Sequence, residues 1–263
     1  MIQTRPRRGQ KNWIGLRTLY LREVRRFSKV YIQTILAPVI TTLVFLTIFT
    51  LAIGKLRGDI NGVPFIEFLA PGLIMMAIIQ NSFTNASSSI MTGKMQNNIV
   101  DTLLPPLTAG ELVLAYAGGG LTRGLTVGCA VTLAMSLFVN LSFNNLTCIA
   151  FYAIAGSLML SLLGIIGGIW ADRHDHMTVI SGFIITPLSF LSGTFYSIHR
   201  LPETIQTIAL FNPFFYAIDG IRAGFIGQAD GSLPIGAAFI IFINIALWLL
   251  CQKMLASGYK LRP

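Results

Sequence analysis

The chain of 263 residues is too apolar and too poor in charge to be a soluble domain. Apolar residues make up 54% of it and charged residues 11%, whereas about 25% of a typical soluble domain is charged. A disordered chain is also excluded, because such chains combine low hydrophobicity with high charge. With a mean hydropathy of +0.70, the composition predicts an all-α integral membrane protein.

The net charge of +9 is concentrated at one end of the chain. Nine of the 19 Lys and Arg residues lie in the first 29 positions, and Glu23 is the only acid among them. A basic block directly before a long apolar stretch is typical of a cytoplasmic flank held at anionic lipid headgroups, so a nucleic-acid partner is not expected. A cleaved signal peptide is not expected either, because the apolar stretch starts only at Val30 and has no small-residue cleavage pattern.

Residues 12–29 are predicted to form an amphipathic helix in the plane of the cytoplasmic membrane interface. Basic side chains, Arg17 and Arg25 among them, cover most of the helix outside one apolar face. The sequence leaves open whether the helix only anchors the protein or also contacts a cytoplasmic partner. The apolar positions at helical spacing are Trp13, Leu16, Tyr20, Val24 and Phe27.

Six stretches are long and apolar enough to cross a hydrocarbon core about 30 Å thick. With the N-terminus in the cytoplasm, cytoplasmic segments would hold 14 basic residues, and outer segments would hold Lys55, Arg57, Arg200 and Arg222. This asymmetry obeys the positive-inside rule and places both termini in the cytoplasm. The predicted spans are residues 30–54, 68–92, 112–139, 146–170, 177–198 and 232–253.

The third predicted span carries glycines at four-residue spacing and one arginine. Small residues at this period let a second helix approach closely, either within one subunit or between subunits. Arg123 would lie about 18 Å along a helix that starts at Leu112. It either faces the bundle interior, or residues 112–122 are partly interfacial and the arginine reaches the headgroups. The glycines are Gly120, Gly124 and Gly128, and the fourth span has Gly164 and Gly168.

Two segments outside the spans have distinctive patterns. In residues 93–111, an apolar stripe on a short helix is ended by Pro105 and Pro106, and such a stripe either packs on its own bundle or docks a partner. Residues 199–230 contain two short apolar pieces, 204–210 and 211–218, which predict an outer re-entrant hairpin or an interfacial helix pair. The residues of the stripe are Ile99, Val100, Leu103 and Leu104.

The chain has no motif for catalysis or metal binding. The three cysteines are scattered, and residues 172–176, which contain two Asp and two His, read as a solvated turn rather than a metal site. Phosphate-binding-loop, zinc-protease, serine-hydrolase and dinucleotide-binding motifs are absent from the sequence. The predicted spans contain no carboxylate of the kind that ion-coupled carriers use. We therefore expect a passive route or a machine powered by another protein.

Four stretches of the chain resemble the permease subunits of the type-2 (ABC-2) family of ABC transporters, in particular YadH-like bacterial inner-membrane permeases. The resemblance covers essentially the whole chain. The stretches are FLAPGLIMMAIIQNSF at 68–83, AYAGGGLTRG at 115–124, TPLSFLSGTFYS at 186–197 and FNPFFYAIDGIRAGFIG at 211–227.

The resemblance implies a non-enzymatic subunit in the bacterial inner membrane that exports an amphiphilic or polymeric substrate. Two copies of the permease, as a homodimer surrounded by membrane lipids, would pair with two copies of a cytoplasmic ABC ATPase. ATP and Mg²⁺ would bind to that partner, and no cofactor or metal is expected in this chain. The rival interpretations are a stand-alone channel or carrier and a membrane scaffold.

By position, the resemblance also assigns roles to residues. The coupling segment in residues 93–111 would insert into the ATPase; it keeps the family's apolar stripe and prolines but lacks the charged family pattern, reading Gln96-Asn-Asn-Ile99 and Val100-Asp-Thr-Leu103. The coupling residues are Gly93, Lys94, Asn97, Ile99, Val100, Asp101, Leu103 and Leu104. The residues of the connecting helix are Trp13, Arg17, Tyr20 and Arg25. Those of the outer hairpin are Asn212, Pro213, Tyr216, Asp219 and Arg222. Those of a possible path or dimer seam are Gln80, Asn81, Asn85 and Arg123.

Overall fold

The computed structural model describes residues 12–54, 59, 60 and 62–260, with the side chains of Ile53, Leu103 and His174 left out. The N-terminal basic residues up to Lys11, together with Lys55, Arg57 and Arg262, lie outside the described residues, so the predicted charge asymmetry rests partly on positions without a structure. The described chain is helical, apart from turns and one isolated bridge between Ile60 and Val63. The all-α prediction is confirmed.

The helices of the described chain are numbered here in chain order. A π-helical turn lies at each end of α2, at Ile32–Leu36 and Thr50–Gly54; a third, Ser181–Ile185, joins α7 to α8, and a 3-10 turn covers Ile198–Arg200. The α-helices are α1 (Trp13–Ser28), α2 (Ala37–Phe49), α3 (Phe65–Met95), α4 (Ile99–Leu103), α5 (Ala109–Met135), α6 (Leu146–Trp170), α7 (His174–Ile180), α8 (Thr186–Leu191), α9 (Glu203–Leu210), α10 (Pro213–Ile226) and α11 (Leu233–Ser257).

Four of these helical segments are long and apolar enough to cross a membrane. The share of residues that are buried in the most apolar stretch of each segment differs: it is 78% in α3 and 61% in α6, but 11% in both the first span and α11. The bundle is therefore built around α3, while the first span and α11 lie at its edge. The four segments are Ile32–Ala52, Phe65–Met95, Leu146–Trp170 and Leu233–Ser257.

Glycines let α5 and α6 approach the backbone of α3. A Cβ added to Gly124 of α5 would lie 2.9 Å from the carbonyl oxygen of Ile78, and one added to Gly164 of α6 would lie 2.6 Å from that of Phe83. These distances are shorter than a side chain permits. The glycines at four-residue spacing therefore pack against another helix of the same chain. Gly120 and Gly168 make the same kind of contact with α3.

The predicted fifth span, 177–198, is wrong at its C-terminal end. The helical segment begins at His174 and ends at Leu191. Gly193 follows with φ of 75°, a left-handed conformation that favours glycine and reverses the chain after the helix. Ser192 and Thr194 are buried in this turn, so the residues after Leu191 pack inside the protein without extending the helix.

The second piece of the outer segment is longer than predicted. The first piece forms α9, close to the predicted 204–210, but α10 runs from Pro213 to Ile226 instead of ending at 218. The prediction stopped before Asp219 and Arg222 because charged residues usually leave an apolar helix. Both side chains are buried, so α10 continues, and Arg222 is not an exposed cation of an outer loop.

The predicted apolar stripe of α1 matches the buried face only in part: Leu16 and Tyr20 pack against the bundle, but Leu19 and Glu23 were not predicted to be buried. Leu19, Glu23 and Phe27 are buried, while Trp13 is 64% exposed. A Cβ added to Gly119 of α5 would lie 2.6 Å from Cβ of Glu23, so α1 packs closely on α5. The helix is thus an integral part of the bundle as well as a basic surface.

Replacing Gly124 with alanine should lower the melting temperature of the purified protein. The added methyl group would meet the Ile78 carbonyl oxygen and the hydroxyl of Ser157, each at 2.9 Å. Overpacking of this kind costs about 1–3 kcal/mol, more than the roughly 1 kcal/mol that alanine gains over glycine in a helix. The matched control is Gly182→Ala, since a Cβ at Gly182 meets nothing within 4 Å. Equal melting of both variants would contradict the close helix approach.

Candidate functional site

The coupling segment forms one short helix, α4, whose apolar residues point in different directions. Ile99 is buried in a cluster that includes Leu19 of α1 and Ile90 of α3. Val100 is exposed, and Leu104, which follows the helix, is 74% exposed. The stripe therefore divides: Ile99 packs on the bundle, and Val100 and Leu104 form an apolar surface that faces outward. The side chain of Leu103 is not described.

The turn between α3 and α4 is held by backbone hydrogen bonds. The Asn98 amide donates to the carbonyl oxygen of Gly93 at 3.1 Å, and the Asn97 amide donates to that of Lys94 at 3.1 Å. Asn97 has φ of 55°, a left-handed conformation that asparagine tolerates better than most residues. The exposed carboxylate of Asp101 lies in the first turn of α4. The turn thus fixes the direction in which α4 leaves α3.

Lys94 is part of a clamp between helix ends rather than a free docking cation. Its Nζ donates to the carbonyl oxygens of Ile169 at 2.7 Å and Ala171 at 2.6 Å, and lies 3.5 Å from Asp172. Lys260, beyond α11, donates to Asp172 at 3.0 Å. The hydrogen bond from Lys260, together with the charges of both lysines, lowers the pKa of Asp172 below its usual value. Three helix ends therefore meet at one carboxylate.

The connecting-helix residues occupy two sides of α1. Arg17 and Arg25 are exposed, as is Trp13. Tyr20 faces the bundle, where its hydroxyl lies 2.8 Å from Oγ1 of Thr122 on α5. Tyr20 therefore joins α1 to the bundle, while Trp13, Arg17 and Arg25 are exposed.

An ion pair within α1, which the sequence interpretation missed, has a buried carboxylate and an arginine that reaches α3. Glu23 is 1% exposed and lies 3.3 Å from Arg26. Arg26 donates to the Asn85 carbonyl oxygen at 2.7 Å, to its Oδ1 at 3.1 Å and to Oγ of Ser88 at 3.1 Å. The position of Glu23, the one acid in a basic helix and three residues before an arginine, was the available signal. Asn85 therefore anchors α1 through its two oxygen atoms, while its buried Nδ2 has no hydrogen-bond partner among the described residues.

Beside α4, Arg22 adds a second connection to α1. Its guanidinium donates to Oγ1 of Thr102 at 3.0 Å. Between α1 and the segment that follows α3 lies a cavity of about 820 Å³, whose lining includes Arg25, Lys29 and Asp101. Residues of α4 and basic residues of α1 thus line the same cavity.

Arg123 lines a cavity inside the bundle. It lies about 21 Å from the start of α5, and insertion scales assign roughly 2.5–3.5 kcal/mol to an arginine at mid-membrane depth. Its Nη2 donates to Oδ1 of Asn81 at 3.2 Å. Both side chains, with Gln80, line a cavity of about 490 Å³ between the first span and α3. Of the predicted path residues, the structure brings Gln80, Asn81 and Arg123 together.

In the outer hairpin, the predicted residues tie α10 into the bundle. Asn212 caps α10 by accepting from the Phe214 amide at 3.1 Å, and its Nδ2 donates to the Leu188 carbonyl oxygen at 3.0 Å and to Oγ of Ser192 at 2.7 Å. Pro213 occupies the first position of the helix, where its missing N–H costs nothing. This cap therefore connects α10 to the end of α8.

Two buried charged residues of α10, Asp219 and Arg222, also attach this helix to its neighbours. Asp219 accepts from the backbone amides of Asp230 at 2.8 Å and Gly231 at 2.9 Å. Arg222 donates to the Gly193 carbonyl oxygen at 2.6 Å, and its guanidinium carbon lies 3.9 Å from the ring centroid of Phe68. Tyr216 packs against Phe239 of α11. The hairpin residues thus hold α10 to α3, α11 and the turn after α8.

The described residues form a helical bundle that buries polar side chains in its core and exposes basic and apolar side chains at α1 and α4. The ABC-2 type transporter family model matches residues 15–226. The chain belongs to this family, whose members are membrane permeases of ABC transporters. Within the described residues, no group of three or more His, Cys, Asp or Glu could hold a metal ion.

Similar proteins cover almost the whole chain. The inner membrane transport permease YadH of Escherichia coli K12 is 34% identical over 95% of this chain and 98% of its own length. Nodulation protein J of Sinorhizobium fredii is 24% identical over 94% of this chain and 95% of its own. Nodulation protein J of Rhizobium leguminosarum bv. viciae is 26% identical, with 89% and 91% covered. The match therefore extends beyond isolated motifs.

Replacing Lys94 with methionine should destabilise the isolated permease. The carbonyl oxygens of Ile169 and Ala171 would lose their donor, and an unsatisfied buried group costs about 1–3 kcal/mol. The melting temperature of the purified chain, measured without any partner, checks this. Lys253→Met is the matched control, because Lys253 is exposed. A Lys94→Met variant that melts like wild type but fails only in partner binding would show that the clamp is not structural.

Proposed function

We propose that this chain is the membrane-spanning half of an ATP-driven exporter in the bacterial inner membrane. The observation that carries the proposal is the surface formed by α4 and α1: Val100 and Leu104 are exposed, Ile99 fixes α4 to the bundle, and other residues of α4 line a cavity together with basic residues of α1. An exposed apolar patch rimmed by polar groups is typical of an interaction site. Its partner would be a cytoplasmic ABC ATPase that supplies the ATP and Mg²⁺ chemistry.

The proposed topology has six crossings with both termini in the cytoplasm. Besides the four strongly apolar segments, α5 is 27 residues long, or about 40 Å, and the segment from α7 to α8 is about 27 Å long. Both lengths are close to a hydrocarbon core of about 30 Å. In this arrangement α9 and α10 form the outer re-entrant hairpin, and α4 and the clamp at Asp172 lie on the cytoplasmic side.

The assembled transporter would contain two ATPase subunits and two permeases, most simply two copies of this chain. The first span and α11 support pairing through the membrane, because both expose large apolar side chains along the edge of the bundle. Lipid or a second copy would cover these faces. The relative YadH carries the description of an inner membrane transport permease, which favours the same location here.

The contacts of α4 and α1 suggest how a movement of the ATPase would be transmitted to the helices of the permease. Closure of the ATPase pair would push α4, which follows α3 through the turn at Asn97. Arg22 joins α1 to α4, and Arg26 joins α1 to α3. Any movement of α4 would therefore reach α3, and through its close contacts with α5 and α6 the rest of the bundle.

The substrate is proposed to be an amphiphile or polymer rather than a small ion. The helices around the bundle axis bury mainly apolar and hydroxyl side chains, and the polar cavity at Arg123 opens beside an exposed apolar span. These features suit a molecule with both polar and apolar parts. Transport is proposed to run outward, as in the exporters that the sequence resembles.

Replacing Leu104 with arginine should abolish assembly with the ATPase while leaving the permease folded. The side chain is 74% exposed, so the change costs the fold little, but it places a charge in the apolar docking surface, where an unpaired buried charge opposes binding. Co-purification of the ATPase and the melting temperature of the permease are measured together. We expect at least about a tenfold loss of captured ATPase, equivalent to roughly 1.4 kcal/mol.

Leu137→Arg is the matched control. Leu137 is 80% exposed and lies just after the other end of α5, so the same substitution there should leave ATPase capture unchanged. If Leu104→Arg still assembles and transports, α4 is not the docking element. If neither variant nor wild type captures an ATPase, the channel or scaffold interpretation replaces the exporter.

A further inference from the structure

Arg123 lacks a counter-ion in its surroundings. Among the described residues, the four ion pairs involve other cations, and the charge that acts on Arg123 is that of Arg26, a second cation. Arg222, the other arginine deep in the bundle, has Asp219 and Asp230 as electrostatic partners. Among the described residues, Arg123 is therefore a positive charge inside the bundle without a counter-ion; in the proposed topology it lies within a membrane span, where such residues usually mark a ligand pathway.

Arg123 also has hydrogen-bonding capacity to spare. Its Nη2 is satisfied by Asn81, but its buried Nε has no partner. On the same cavity wall, Gln33, Thr41 and Gln80 make no side-chain hydrogen bonds with described residues. These groups supply several donors around one positive charge. An anion with several oxygen atoms would satisfy them, whereas an apolar guest would leave them unpaired.

The cavity at Arg123 continues into an apolar one. A second cavity of about 470 Å³ shares Val30, Gln33 and Ala37 with it. Each volume is within the roughly 300–1,000 Å³ of ordinary small-molecule sites. The remaining lining of the second cavity is Lys29, Tyr31, Ile32, Leu36 and Ile40. A cavity that contains Arg123 and several polar side chains thus adjoins a more apolar cavity along the exposed first span.

We propose that the two cavities form a binding site for an anionic amphiphile. Arg123, Asn81 and Gln80 hold its oxygen-rich headgroup, and its apolar chain lies along Ile32, Leu36 and Ile40. This site would give the exported substrate of the proposed function a chemical class. The proposal depends on the exporter function only for transport of the ligand, not for its binding. Binding itself requires neither the ATPase nor ATP.

The test measures binding to the full-length permease alone, reconstituted in phosphatidylcholine nanodiscs. The probes are fluorescent short-chain phosphatidylglycerol, which is anionic, and the matching phosphatidylcholine, which carries no net charge. Arg123→Gln should weaken binding of the anionic probe about tenfold or more, because one charge-assisted contact is lost. Binding of the phosphatidylcholine probe should stay weak and unchanged.

Two controls separate the site from general electrostatics and from misfolding. Arg200→Gln removes an exposed cation and should leave anionic binding unchanged. Gln80→Leu keeps the charge of Arg123 but removes a donor, and should weaken the anionic probe by a smaller factor. This second variant keeps the test informative if Arg123→Gln does not fold.

Three results would overturn the proposal. Equal binding of the anionic probe to wild type and Arg123→Gln would remove the arginine from the site. Inorganic phosphate that competes as well as the short-chain lipid would show a free-anion site rather than an amphiphile site. Loss of all binding in cross-linked permease dimers would show that a second copy occupies the cavities. Because the ATPase is absent, failure of the exporter assignment would leave the binding result unaffected.

Discussion

The close approach of α5 and α6 to the backbone of α3 is the constraint on which the rest of the bundle depends. Carbonyl oxygens of α3 lie where Gly124 and Gly164 would otherwise carry a side chain. Without water in the membrane core, helices gain little from burying apolar groups against each other and depend on close packing and hydrogen bonds. Because α3 is held on two sides at this distance, a displacement of α3 must be shared by its neighbours.

Buried polar contacts connect the ends of this packed core to the neighbouring helices. At one end of the bundle, Arg26 fixes α1 to Asn85 of α3, and Lys94 fixes the end of α3 to α6. At the other end, Arg222 fixes α10 to the turn after α8. These contacts are costly to bury unless each group is paired. They place the coupling surface, the central helix and the outer hairpin in one continuous set of contacts.

The sequence predicted the class of the fold and most helices because apolar runs and breaks depend on local composition. It misjudged the elements whose polar residues are buried by tertiary contacts: α10 was cut short at Asp219, and the buried face of α1 omitted Glu23. It also could not decide between internal packing and an interface for the glycine stripes or for Ile99 and Val100. Those questions depend on which helices become neighbours, and local patterns carry no such information. Of the predicted path or dimer-seam residues, Gln80, Asn81 and Arg123 line one cavity, whereas Asn85 contacts Arg26 of α1; their role in a path stays a prediction.

The central claim, a permease driven by a separate ATPase, is tested most directly by capture of the partner. The tagged chain would be extracted from its native membrane in mild detergent, and the proteins that come with it would be identified and counted by mass spectrometry. We expect to find, in nearly equal amount to the permease, a protein that has a phosphate-binding loop. Its rate of ATP hydrolysis should change when the permease is present. If the chain comes down only with itself, and cross-linking before extraction adds no ATPase, the account is contradicted.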